Sequence, residues 1–444
     1  MERIVMATIH GVVDEVLDAA PLDGRRHNPA LDYTPVWRSR FDALKQLTFD
    51  PARAKSGLME SDGFPNFPTD AQVRLLYEVI TNITHSRLER NPAAPSFQTT
   101  LYDASSFIAD SEDVHGRRQN SPVVAVPTAG GQGVWVSIPA GHGEEAVVRA
   151  MERCIGTSAH RFYVGSSAGG QFDISIVKSL TVPFPSTGSP RTFVDTFLKK
   201  MDTAVNDGSS TYRTGPFRRD PDDVANAMSS LAIQHNLGAL LVPNLTRKAV
   251  KGDAGGVLLG TLARFTEFSG IPVVCFATTA ATTALQVHGN TAQPLRRFSV
   301  SIPALRLDED QWFFLADHLW ENYFAYRFLH PMPDWFPAEL WRHTLGLVEP
   351  ATRLAAYAYT IGEIAPEAEL SVNLLEAYAR VALELDVGML TSLRFLASGQ
   401  VPARNFGFRS DHADSFPLQD NQMNALVFDG ETVSTALALL GGKT

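Results

Sequence analysis

One stretch has a chemical outline: Ile138-Pro139-Ala140-Gly141-His142-Gly143-Glu144-Glu145. It lies where an apolar strand, Val134 to Ser137, hands over to an amphipathic helix. This is the place and shape of a phosphate-binding loop, G-x-x-x-x-G-K-[ST], in which the lysine neutralises the outer phosphates and the hydroxyl ligates magnesium. Here Glu144 stands at the lysine position and Glu145 at the hydroxyl position. Two carboxylates there would repel a triphosphate. The chemistry therefore reads as a nucleotide site from which the nucleotide-handling groups are gone.

The other parts of such a site fall on later strands. A second strand should end in an acidic pair that holds magnesium and orients the attacking water. The run Gly238 to Val242 continues instead into Pro243-Asn244. A third strand, Ile271 to Phe276, ends at Thr278-Thr279, a polar pair at the sensor position. His142, Glu144 and Glu145 on one turn read as solvated side chains rather than as metal ligands, so no metal is expected. A second glycine cluster, Gly165-Ser166-Ser167-Ala168-Gly169-Gly170, has no lysine and no amphipathic helix after it, and reads as a hairpin tip.

These residues need a scaffold, and hydrophobic periodicity supplies one. Val73, Leu76, Ile80 and Ile83 mark a helix over 69–90, which Asn91-Pro92-Ala93-Ala94-Pro95 stops, and a polar, Gly-rich stretch covers 103–133. Helices over 145–155, 190–205, 221–234 and 257–268 alternate with the strands above and with a strand-like run over 174–184. Apolar strands between helices indicate a parallel sheet covered on both faces. From Asp308 the pattern is wholly helical: Trp312, Phe313, Leu315, Leu319 and Trp320 pack one helix, with two more over 347–361 and 370–385.

Composition narrows the class. The 444 residues allow two or three domains. No apolar run is long enough for a membrane span, and Met1 to Val5 lacks a secretory pattern. With only Cys154 and Cys275, a disulfide framework and a zinc cluster are both excluded, and a cytoplasmic location is the natural expectation. The formal net charge of −10 argues against a generally basic nucleic-acid coat but leaves room for a local basic strip.

In this order the pieces resemble the TnsC/TniB family of transposition regulators, which are AAA+ ATPases. Lys178 to Ser189 is similar to the family's second strand and turn, Ile233 to Val242 to its Walker B approach, and Gly270 to Thr278 to its sensor strand. Leu295-Arg296-Arg297-Phe298 resembles the arginine-bearing segment that follows. The stretches around Asp308 to Trp312, Leu319-Trp320 and Leu345 to Leu354 resemble the helical lid, and Asn91-Pro92 falls where the family has an Arg-Asn-Pro motif. The resemblance spans about residues 65–400 and implies an α/β AAA+-like P-loop NTPase fold, a parallel sheet with helices on both faces, followed by an all-helical lid.

The implied organisation is an N-terminal extension over 1–64, a helical segment over 65–120, the AAA+-like α/β domain over 121–300, the lid over 301–400 and a tail over 401–444. The relict nucleotide pocket would comprise Gly141, Gly143, Glu144, Glu145, Pro243, Asn244 and Thr278, with Arg297 as the trans arginine. No catalytic residue is expected, and no cofactor, with ATP and magnesium bound only if the degenerate loop retains affinity. By the same resemblance Lys248, Lys251, Arg247 and Arg161 are candidates for DNA-backbone contacts; Arg213, Arg218 and Arg219 form a further basic group. The implied partners are double-stranded DNA, a target-selector protein and a DDE transposase of a bacterial mobile element. Homo-oligomers, as rings or filaments, or a hetero-oligomer with an active paralogue are expected, with no membrane. A protein scaffold without DNA contact and an unconventional ATPase, with Lys178 as the replacement lysine, are the alternatives.

Overall fold

The computed structural model describes residues 28–37, 39–47, 69–111, 125–126, 130–165, 171–206, 221–328, 331–364 and 369–397. The tail over 401–444, most of the N-terminal extension, Arg213, Arg218, Arg219 and residues 166–170 of the glycine cluster lie outside them.

Five strands form the central sheet: β1 (Val134–Ile138), β4 (Ser179–Thr181), β5 (Ala239–Leu245), β6 (Val273–Thr278) and β7 (Phe298–Ser301). Their order is β4-β5-β6-β1-β7 and every pairing is parallel. The apolar strands sort their side chains with period two. Val134, Val136 and Ile138 of β1, Leu241 of β5 and Val274 and Phe276 of β6 enter one core. Trp135, Leu240, Val242, Val273 and Cys275 enter the core on the other face. Helices must cover both faces of such a sheet, because neither can meet water. On the first face lies α4 (Glu144–Ile155), through Val147, Val148, Met151 and Ile155. On the other lie α5 (Pro190–Asn206), α6 (Pro221–Gln234) and α8 (Asp253–Ser269).

The helix α2 (Asp70–Glu89) begins at a capping box between Thr69 and Gln72 and straps the N-terminal ends of the strands. Its contacts follow the strand order. Arg74 lies over the Phe298 ring at the start of β7. Asn82 exchanges two hydrogen bonds with Gln132 ahead of β1, donating at 2.9 Å and accepting at 3.0 Å. Ser86 donates to the Gly270 carbonyl ahead of β6, and Arg87 to the Val177 carbonyl ahead of β4. Val73, Leu75, Leu76, Val79, Ile80 and Ile83 of α2 also enter the core on the first face of the sheet.

Three expectations are corrected. Residues 95–111 form a helix, α3 (Pro95–Ser111), where a polar stretch was expected from 103. Pro95 starts that helix rather than extending a stop, since a first-turn proline forfeits no intrahelical bond. The strand-like run over 174–184 is two strands, β3 (Gln171–Val177) and β4, divided at Lys178. β3 pairs antiparallel with β2 (Ala159–Gly165), so the glycine cluster joins the two arms of a hairpin. Phe313 does not pack into the lid; it and Phe314 are exposed, while Trp312, Leu315, Leu319 and Trp320 are buried.

The C-terminal part is helical, with its own core. It comprises α10 (Asp310–Leu319), a π turn over Trp320–Phe324, α11 (Phe336–Thr344), α12 (Val348–Ile364), α13 (Val372–Ala382) and α14 (Val387–Ala397). Trp312 Nε1 donates to the Pro337 carbonyl at 3.0 Å and Trp341 Nε1 to the Leu305 carbonyl at 2.9 Å. Both tryptophans are packing residues with their one polar atom satisfied.

Candidate functional site

In a parallel α/β sheet, ligands lie outside the C-terminal strand ends where neighbouring connections run to opposite sides. Here that place is the crevice at β1 and β6: β1 connects towards β4 at one edge, and β6 connects across β1 to β7 at the other. The loop after β1 turns tightly, with the His142 N–H donating to the Pro139 carbonyl at 3.0 Å. Gly141 and Gly143 both have left-handed backbone, at φ +77° and +81°. Gly143 caps α4, whose first residue is Glu144. The backbone therefore passes from strand to helix through a tight turn with two left-handed glycines.

Its side chains are arranged for something else. Glu144 Oε1 accepts a hydrogen bond of 2.6 Å from the backbone N–H of Asn244. Asn244 sits near the end of β5 with φ +68°, at the irregularity that separates the Val242 and Leu245 pairings with β6. The carboxylate thus reaches from the β1 loop over the end of β6 to β5. Burial raises Glu144 to about 7, against the opposing pull of the Asn244 N–H. Glu145 points outward and pairs with Arg149 one turn along, at 2.5 Å.

His142 is not solvated, as had been expected from its neighbours; it is buried, and neither ring nitrogen has a hydrogen-bond partner. Burial lowers it to about 4, so it is neutral at physiological pH. Over Gly141 lies the lid: a Cβ built there would stand 2.9 Å from Met389 Sδ and Cε. Met389 belongs to α14, whose sequence shows no period that marks it as a cover for the loop. That contact is the part of the site sequence reasoning missed.

Thr278 ends β6 beside Ile138 of β1. Its hydroxyl accepts from the Ala281 N–H at 3.2 Å, which caps α9 (Thr279–Ala284). Pro243 accepts from the Phe184 N–H through its carbonyl at 2.8 Å. Gly141, Gly143, Glu144, Asn244 and Thr278 are thus gathered at the C-terminal end of the sheet. Arg297 is exposed just ahead of β7, whose first residue aligns with Val134. It lies at the other end of the sheet, about 16 Å of strand away from Glu144.

The basic candidates also separate. Lys248 and Lys251 are exposed on α7 (Arg247–Lys251), directly after β5 and capped by Thr246. Arg161 is on β2, at the opposite end of the sheet, and donates to the Val205 carbonyl at 2.8 Å. Lys178, the alternative lysine, precedes β4 and packs near Gly156 at the far end of α4. It is remote from Glu144. No group of three or more His, Cys, Asp or Glu side chains able to hold a metal occurs among the described residues. No helix among them is long and apolar enough to cross a membrane.

Taken with the lid, these features define an α/β AAA+-like fold: a parallel five-stranded sheet with helices on both faces, a loop-and-helix at the end of β1, and a helical C-terminal domain. No family model matches the sequence, and no curated protein matches it. Among solved structures, it is similar to the Aeropyrum pernix ORC1 protein in complex with DNA, at 14% identity and a TM-score of 0.38, over 79% of this chain and 80% of that one. It is also similar to the Aeropyrum pernix ORC2 protein with ADPNP and ADP, at 13% identity and a TM-score of 0.38, over 79% and 87%.

Proposed function

We propose that this chain is a hydrolysis-free AAA+-like adaptor of DNA transposition. It assembles on double-stranded target DNA and links a target-selector protein to a DDE transposase. The observation that carries the hydrolysis-free part is Glu144. It occupies the lysine position of the loop and is bonded to the Asn244 amide, where an acidic residue would orient water. Pro243 and Asn244 supply no carboxylate for magnesium, and Lys178 is too remote to replace the missing lysine. The DNA and transposition parts are supported by the collinear resemblance over residues 65–400 and by exposed Lys248 and Lys251 beside the crevice. Weak phosphate contacts from several subunits would sum in an oligomer.

A second reading is a protein scaffold, or a partner subunit of an active paralogue, that makes no DNA contact. The net charge of −10 and the use of Arg161 on an internal carbonyl favour it. Particle mass on duplex DNA, first without nucleotide and then with ATP and magnesium, separates the readings. DNA-dependent assemblies without nucleotide support the adaptor. Assemblies only with ATP show that the loop still binds nucleotide and overturn the reading of Glu144, and a monomer throughout moves the reading to the scaffold.

A further inference from the structure

We propose that the Glu144 carboxylate is the permanent internal ligand of this crevice: it stands in for the outer phosphate of a nucleotide and ties the loop after β1 to the end of β5 with no small molecule bound. The proposal rests on the nucleotide-free reading of the site and not on its DNA or transposition parts.

Three observations converge on it. The contact joins residues 100 positions apart and bridges the end of the intervening strand β6. That is the path between the phosphate loop and the second acidic strand in a nucleotide-bound site. The carboxylate projects from the first residue of α4, where the helix's unpaired N–H groups favour an anion. Carboxylate and phosphate present the same chemistry here, negatively charged oxygens that accept from backbone N–H groups. Finally, Asn244 takes the left-handed backbone, φ +68°, that asparagine adopts more readily than most side chains, and in that conformation its N–H donates to Glu144 Oε1.

Chemical rescue tests this at pH 8, where Glu144 is ionised. The full chain is compared as wild type, Glu144→Ala and Glu144→Gln by thermal unfolding, in acetate, phosphate or chloride at equal ionic strength. Glu144→Ala is expected to unfold about 2 °C lower in chloride, because desolvation of the ionised carboxylate offsets most of what the Asn244 bond contributes. Acetate or phosphate should restore at least half of that shift with a saturable dependence absent from wild type. Glu144→Gln, which keeps an acceptor oxygen, should lose less. ATP with magnesium should leave wild type unchanged.

A Glu144→Ala midpoint equal to wild type overturns the tie. A lowered midpoint that neither anion restores overturns the phosphate stand-in, and a wild-type rise with ATP shows that the crevice still admits nucleotide. Should Glu144→Ala not fold, amide exchange decides: the Asn244 N–H should be protected in nucleotide-free wild type, and rapid exchange there overturns the proposal. Loss of DNA assembly with this result intact overturns the adaptor reading alone.

Discussion

At the scale of single residues, His142 carries a pH dependence whose sign is fixed. Its folded value of about 4 lies below the ordinary 6.5, so the unfolded chain binds the proton first. Stability from this residue is complete above pH 6.5 and is lost as pH falls towards 4, by about 3 kcal/mol at most. Glu144 has the opposite sense: its raised value makes stability fall as pH rises from 4.5 to about 7. His142→Leu should therefore flatten the acid side of a stability–pH curve measured by urea unfolding, and leave the change above pH 6.5 untouched. A curve unchanged between pH 4 and 6.5 would contradict this assignment. Gly141→Ala places a Cβ against Met389 on a backbone that disfavours side chains. It should cost about 1–2 kcal/mol, and the double variant with Met389→Ala should recover the steric part but not the backbone part.

At the scale of elements, α2 shows what a strap beneath a parallel sheet requires. Helices α6 and α8 end at the same side of the sheet as the strands begin, so that side is lined with helix C-terminal carbonyls. Arg87 and Arg90 are fully buried there. Arg87 donates to the Ala30 carbonyl and to Thr34 Oγ1 at 2.6 Å, and burial lowers it to about 10. Arg90 donates through Nε to Ser86 Oγ, which in turn reaches the Gly270 carbonyl that closes α8. Its two Nη atoms have no partner. Burial, then the neighbouring Arg87, push Arg90 downward. Replacing a buried charge without good partners costs little, whereas stranding its acceptors costs much. Arg87→Met is expected to lose about 3 kcal/mol in chemical denaturation, and Arg90→Met clearly less. The reverse ranking would show that Arg90, not Arg87, holds the strap.

At the scale of the whole molecule, the site is assembled from elements that meet only in the fold. On the proposed reading, Glu144→Lys with Glu145→Thr introduces a phosphate-binding lysine and a magnesium-ligating hydroxyl at the loop. This double variant should gain binding of a fluorescent ATP analogue in equilibrium titration. It should still show no magnesium-dependent phosphate release, because Pro243-Asn244 near the end of β5 supplies no base. Measurable turnover would place the catalytic carboxylate elsewhere. Charge reversal at Lys248 and Lys251 should abolish DNA-dependent assembly under the adaptor reading and change nothing under the scaffold reading, as read by particle mass on duplex DNA.

The sequence by itself determined the strand-and-helix alternation, because fully buried strands must be continuous apolar runs and covering helices must be amphipathic. Residue identity is read directly, so the sequence also carried the proposed reading of Glu144, Glu145, Pro243 and Asn244 as replacements of nucleotide-handling groups. Periodicity could not show α3, whose first turn looks like a proline-rich break, nor the division of β3 from β4 at a single lysine. Tertiary structure alone decided the rest. It buried His142, leaving both ring nitrogens without a hydrogen-bond partner, and brought Met389 over Gly141. It closed Glu144 onto an amide 100 residues away and sent Arg297 and Arg161 to the other end of the sheet. Each of these depends on which strand ends lie side by side, and a linear pattern specifies the faces of a strand but not its neighbours.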